Sequence, residues 1–425
     1  MKKLVKPFLL ASFLFQPFLF HSKTLAAELY LQIQRGEKVT IGLPDFSPKT
    51  DSEIAIAKEM GDAAQQDLLF TRLFNLVKEG PKLEPGKIDF EGWQKNGADI
   101  LITAVISLKE ENVQMVASVY EVEPKRPIFQ KSYRSSPESC RLLAHEFVSD
   151  FIYRFTGDPG IAKTKIAFAN NASGSKEIYL IDYDGSNLKQ LTNDKSLAIL
   201  PRWSPDGKEI VYTTYRQGNP DLYLYSMESG KSRSFSARKG LNSAASFSPD
   251  GTTLIATLSH EGYPNLYLLD REGKILRRLT NGSYADTSPC FSPDGHKILF
   301  VSDRPGWPQI YMMDMDGSNV KRITDSGYCD SPVWSPRGDQ IAYSKGSNRG
   351  SHQIFIDDLS TGNTFQLTQN SANNENPSFS PDGRFIIYTS SRDKKRELFI
   401  SSIDGAVQKE IGEIKGESFT PAWGP

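Results

Sequence analysis

The chain has 425 residues, enough for two or three domains, and its 50 Lys+Arg against 51 Asp+Glu give a net charge of −1, without the basic excess that nucleic-acid binding needs. Apolar residues at 38% with 24% charged describe a globular chain, and 25 Pro with 32 Gly point to many tight turns, hence β structure rather than long helical bundles or disorder. Three Cys and five His are too little material for a zinc cluster, a disulfide framework or a thiol-based catalytic network.

Lys2, Lys3 and Lys6 precede an apolar run from Phe8 to Phe20, and the small residues Ala26 and Ala27 follow, the layout of a secretory signal over residues 1–27. The run contains Gln16 and Pro17 and falls short of the ~20 apolar residues of a membrane-spanning helix. The expectation is a soluble mature protein outside the cytoplasm, with no integral span after processing. Cys140, Cys290 and Cys329 are an odd set there; Cys290 and Cys329 either pair or remain buried thiols.

Residues 28–158 carry no long repeat and read as an α/β domain. Stretches 29–33 and 39–43 read as strands, and Thr50-x-x-Glu53 is a capping box opening a helical run to residue 77, open to a break near Gly61. Stretches 100–108 and 113–122 alternate as a hairpin, 128–133 adds a strand, and a last helix over 137–155 stops at Gly157. The segment Gly157-Asp158-Pro159-Gly160 reads as a linker.

From 161 to 425 the sequence repeats. Ser-Pro-Asp-Gly begins at Ser204, Ser248, Ser292 and Ser380, with Ser-Pro-Arg-Gly at Ser335, so successive serines lie 44, 44, 43 and 45 residues apart. An aromatic residue precedes each, from Trp203 to Phe379, and a sixth stands at Trp423. The tetrapeptide makes a tight hairpin because Pro presets φ, Asp bonds its own backbone and Gly accepts φ > 0. Four short strands per unit match one propeller blade. The first unit lacks an innermost strand and the chain end supplies one, so the expectation is a six-bladed propeller closed by the C-terminal strand.

Chemistry is sparse. Gly-x-Ser-x-Gly is absent, which disfavours acyl transfer. The segments 182–187 and 314–319 echo a calcium loop, but Gly arrives too early and Asn193 and Asp325 stand where the closing glutamate belongs, so they read as hairpin turns. No metal and no cofactor is assigned. His145, His260, His296 and His352 lack clustered partners and read as surface or packing residues. What remains is a binding surface: loops entering the innermost strands carry Asn242, Ser243, Asp286, Thr287, Asp330, Asn374 and Glu375 toward one mouth of the channel. Companion loops bring Arg216, Arg304, Trp307, Arg349 and Arg392, residue types enriched at protein interfaces.

The whole mature chain resembles the TolB family. The repeat matches in its aromatic-SPDG strand and its Ile-Tyr and Leu-Thr signatures, and the first domain matches in Asp67-Leu68-Leu69-Phe70, in Trp93 with Gly97-Ala98-Asp99, and in Ala144-His145 with Asp150 and Gly157. It departs at 71–73, at Phe235-Ser236 and at Ile411-Gly412. The resemblance implies a periplasmic, non-enzymatic and monomeric component of the Tol-Pal system, serving envelope integrity and cell division. Its implied partners are the peptidoglycan-associated lipoprotein and a TolA-like inner-membrane protein. Family contacts to the lipoprotein carry over to Leu241, Ser243, Ala244 and Thr287, with Asp330 and Glu375 as neighbours by repeat alignment. The TolA segment carries over to Glu28, Leu29, Tyr30, Leu31, Gln32 and Ile33, reaching about Gly36. The alternatives are a propeller enzyme, lactonase-like or peptidase-like, and a carbohydrate-binding envelope propeller.

Overall fold

A computed structural model describes residues 37–83, 87–158, 160–346, 351–369, 372–392 and 395–425. The expected signal sequence, the segment from Glu28 to Ile33, and Arg349 lie outside the described residues. The chain divides into one unit ending at Asp158 and a second running from Pro159 to Pro425.

The N-terminal unit is an α/β layer. Its main sheet path runs Phe74–Val77, Val39–Gly42, Ile100–Lys109, Asn112–Glu121, Arg126–Ser135. The first three strands are parallel and the last three form an antiparallel meander. Ile100, Ile102, Ala104 and Ile106 alternate into a core shared with helices Ile54–Phe70 and Cys140–Thr156. Glu53 closes the capping box on Thr50 and also accepts Leu108 N–H at 2.7 Å, which ties the helix start to the sheet.

The helical run ends sooner than the sequence suggests. Helix Ile54–Phe70 is continuous through Gly61, Arg72 turns the chain at φ +60°, and Phe74–Val77 is a strand. Parallel pairing with Val39–Gly42 satisfies that backbone, so the tertiary context outweighs helical patterning. A short helix, Phe90–Lys95, stands where the sequence pattern predicts none; Asp89 caps it by accepting Gly92 N–H at 3.0 Å, and it carries the fully buried Trp93. His145 is buried in this unit, its Nδ1 lying 2.7 Å from Asp67 Oδ2 and linking the two long helices.

The second unit is a six-bladed propeller of four-stranded antiparallel sheets. Blade 3 is representative: Asn242–Phe247, Thr253–Leu258, Asn265–Asp270 and Ile275–Arg278, from axis to rim. Blade 1 joins the C-terminal Ser418–Trp423 to Lys165–Asn170, Glu177–Asp182 and Lys189–Gln190. The remaining blades begin at Ala198 (blade 2), Asp286 (blade 4), Tyr328 (blade 5) and Asn373 (blade 6).

Repeated residues do repeated work. In four blades the SPDG serine hydroxyl donates to the Asp two residues on, at 2.5–2.7 Å, as at Ser204 with Asp206. Where Arg337 replaces that Asp, Ser335 turns instead to Asp339 at 2.9 Å, so the hairpin keeps its carboxylate. Thr192, Thr280, Thr324 and Thr368 each accept a third-strand N–H through the hydroxyl at 2.8–3.0 Å, replacing a ladder bond as the rim strand leaves. Second-strand aromatics face third-strand aromatics within five blades, Tyr212 with Tyr223 at 6.2 Å for example. Tyr212, Tyr343 and Tyr388 are fully buried, each ring contributing roughly 1.5–3 kcal/mol by burial. The two calcium-like segments close as turns: Ser186 N–H donates to Asp184 at 2.9 Å and Asn187 to Asp182 at 2.7 Å, and the same bonds recur at 314–319.

Cys140, Cys290 and Cys329 are all free thiols, so the pairing of Cys290 with Cys329 does not form. No helix among the described residues is long and apolar enough to cross a membrane.

Candidate functional site

The six innermost strands share a device that no single repeat announces. Each contains a register shift, and at it a residue with positive φ: Leu200 (57°), Ala244 (49°), Ser288 (52°), Ser331 (52°), Asn376 (56°) and Thr420 (46°). None is glycine, so the fold holds each in a conformation costing roughly 1–2 kcal/mol. In five blades the next residue is proline, which lacks the N–H that a continuing ladder would use. The bulge re-aims the strand, and Leu200, Ala244, Ser288 and Ser331 meet in the channel with Arg202 and Cys290 around a cavity of about 20 Å³. Such a space holds about one water molecule.

Arg202 is half-buried, and burial pushes its guanidinium pKa down. Its hydrogen bond goes to the carbonyl of Pro201 at 2.9 Å. Burial likewise pushes the Cys290 thiol up, with the Arg202 charge opposing.

Because strands alternate in direction, the starts of the innermost strands and the loops after the second strands emerge at one mouth. The residues expected there fall into two groups. Asn242, Asp286 and Asn374 are at most 1% exposed, so their side chains brace the mouth from below. Asn242 accepts from Ser236 Oγ at 2.7 Å and Arg238 N–H at 3.0 Å and donates to the Arg238 carbonyl at 2.6 Å. Asp286 holds the Arg304 guanidinium at 2.9 and 3.1 Å, and Asn374 donates to Gln353 at 2.9 Å.

The second group reaches the surface in part. Leu241 and Thr287 are half-buried and Ala244 sits at its bulge, whereas Ser243 is buried and shares a 3.1 Å hydrogen bond with Thr213. Asp330 is half-buried; burial pushes its carboxyl above the usual range, while hydrogen bonds from Ser331 and Ser344 and the nearby His352 act the other way. Glu375 lies 3.6 Å from His352 and 3.9 Å from Arg396.

His352 therefore has the clustered partners that the sequence did not reveal. Its backbone N–H donates to Asn373, and its ring meets Tyr328 edge-on at 5.6 Å beside Glu375. The arginines of the companion loops turn inward: Arg216 lies over Tyr223 at 3.7 Å, Arg304 over Tyr311 at 4.8 Å and Arg392 over Phe399 at 3.8 Å. Trp307 alone of those described loop residues stands out, 70% exposed. Among the described residues no group of three His, Cys, Asp or Glu is placed to share a metal ion.

Comparison with known proteins gives a consistent picture. Residues 152–425 match the family described as TolB beta propeller domain, and residues 29–128 match TolB amino-terminal domain. A Tol-Pal system protein TolB from Desulfosudis oleivorans is 36% identical over 190 residues, 42% of this chain and 43% of that protein. A Tol-Pal system protein TolB from Geobacter metallireducens is 37% identical over 160 residues, 36% of this chain and 37% of that protein. The aligned stretches thus span less than half the length of these relatives. A crystal structure of TolB from Acinetobacter baumannii superposes with a TM-score of 0.79 at 27% identity, covering 92% of this chain and 97% of that one.

Proposed function

The chain belongs to the TolB family, and from that premise we propose that it is a periplasmic, non-catalytic docking component of the Tol-Pal envelope system. In this reading it captures the peptidoglycan-associated lipoprotein at the propeller mouth and supports outer-membrane integrity and constriction during division. The observation that carries the reading is the division of labour at the mouth. Buried Asn242, Ser243, Asp286 and Asn374 hold the loops still, and the half-buried Leu241, Thr287, Asp330 and Glu375 form the rim above them. A rim fixed in advance loses little conformational entropy when a partner docks.

In the same proposal Glu28 to Ile33 engage a TolA-like inner-membrane protein, and lipoprotein occupancy competes with exposure of that segment. Calorimetry of the mature chain against the soluble lipoprotein domain tests the mouth. Thr287→Arg places a long charged side chain on the rim and is expected to weaken binding roughly tenfold or more, about 1.4 kcal/mol, with an unchanged melting temperature. Undiminished binding counts against this site. Deleting residues 28–36 is expected to abolish capture by the TolA-like protein while leaving lipoprotein binding in place.

A further inference from the structure

A groove of about 550 Å³ opens between blades 4 and 5, on the mouth side of the ring but outboard of the rim residues. Pro305 and Trp307 come from the loop after the second strand of blade 4, Arg322 from its rim strand, and Asp325 and Tyr328 from the connection to blade 5. Trp307 is 70% exposed and Tyr328 43% exposed. Gly306, at φ +98°, lets the loop present the indole outward.

The polar groups of the groove are of two kinds. Gln309 is fully engaged: its amide donates to the carbonyls of Pro308 and Gly327 at 2.9 and 2.6 Å and its oxygen accepts from Thr324 at 2.9 Å. The side chains of Arg322 and Asp325 form no hydrogen bond or salt bridge among the described residues, not even with one another. A free guanidinium, a free carboxylate and two exposed aromatic rings thus share one concavity of ligand size.

We propose that this groove binds a saccharide whose pyranose ring carries a carboxylate. The C–H face of a sugar packs on Trp307 and Tyr328 as other apolar faces pack on aromatic rings. The Arg322 fork is suited to a carboxylate, and Asp325 accepts from ring hydroxyls. Charge complementarity favours this ligand over an acidic peptide: Asp325 repels a run of carboxylates, whereas hydroxyls beside a single carboxylate use both free groups. Lys345, hydrogen-bonded at 3.0 Å to Ser326 on the groove wall, leaves one surplus positive charge when Arg322 and Lys345 are set against Asp325. The proposal stands apart from lipoprotein docking and uses none of the rim residues.

The test is a titration of the mature chain with two disaccharides that differ in one carboxyl-bearing ether, N-acetylglucosaminyl-N-acetylmuramic acid and neutral diacetylchitobiose. It is read by tryptophan fluorescence and by calorimetry. The expected result is saturable binding of the acidic disaccharide, with affinity roughly fivefold or more lower for diacetylchitobiose and for Arg322→Ala. Trp307→Ala is expected to lose binding in calorimetry; both variants alter exposed side chains and should melt like the parent. Failure of the parent to saturate at about 10 mM, equal affinity for the two sugars, or unchanged binding by Trp307→Ala overturns the proposal. Tighter binding of an acidic hexapeptide that displaces the sugar does so too, in favour of a peptide site.

Discussion

Arg304 covers the carboxylate of Asp286 with two hydrogen bonds, at 2.9 and 3.1 Å, and lays its guanidinium over Tyr311. Asp286 is 1% exposed and opens the innermost strand of blade 4, next to Thr287. Arg304→Ala would leave a buried charge without its cation. The expected loss is about 3 kcal/mol, at the low end for a broken buried pair because Arg304 is itself partly exposed. Arg304→Lys should recover only part of it, since an ammonium cannot reproduce the fork or the stacking. Denaturant melts of the three proteins check the order; a silent Arg304→Ala would mean that the mouth is not braced by this pair.

Ring closure makes a second prediction. Trp423 Nε1 donates to Thr164 Oγ1 at 2.8 Å and Gly424 N–H to the Lys165 carbonyl at 2.8 Å, while Trp203 Nε1 of blade 2 donates to the Ala422 carbonyl at 3.1 Å. Trp423 is 7% exposed, so Trp423→Ala should cost about 3–5 kcal/mol. Deleting residues 418–425 removes the whole strand and should lower the melting temperature further. A truncated chain that melts like the parent would contradict the closed ring.

Asp330 should make stability depend on pH. Burial holds its native pKa above the unfolded value, so the folded state binds this proton more tightly. Its contribution is present below the unfolded pKa, about 3.9, and is lost as pH rises through the raised native value. Asp330→Asn keeps the shape without the charge. It should be more stable than the parent at pH 7, and the difference should vanish in acid; calorimetric melts across that range supply the test. Glu375, His352 and Tyr328 face the same spot, so the comparison belongs in the otherwise unaltered protein.

The channel arginine yields a prediction of opposite sign to most core substitutions. Arg202 is held where burial disfavours its charge, with the Pro201 carbonyl as its hydrogen-bond partner. Arg202→Met keeps much of the packing and removes that penalty, so the melting temperature should rise. A fall would mean that the guanidinium makes a net favourable contribution in the channel.

The propeller was legible because its signals are local and recur: SPDG turns, alternating strands and a final aromatic all survive in one sequence. Even the Arg337 exception is explained by Asp339, two residues away. Less was legible where meaning depends on pairing. Phe74–Val77 reads as more helix until Val39–Gly42 lies beside it. At the mouth, polarity located the loops but not the direction of each side chain. Asn242, Ser243, Asp286 and Thr287 look equally available in sequence, yet the first three are buried and only Thr287 of the four approaches solvent. His352 appeared isolated because Tyr328 and Glu375 reach it from the innermost strands of blades 5 and 6. The left-handed residue ahead of each proline had a sequence trace in the recurring X-Pro pairs, but its conformation emerged only with the register shifts.

Asn170 and Ser418, hydrogen-bonded at 3.1 Å, are separated by 248 positions. The first blade therefore waits, with one edge of Lys165–Asn170 uncovered, until Ser418–Trp423 has been made. Throughout synthesis of the other five blades that edge is open to a stray strand from another nascent chain. A chaperone-like guard would have its longest task at that seam, the last in the ring to seal.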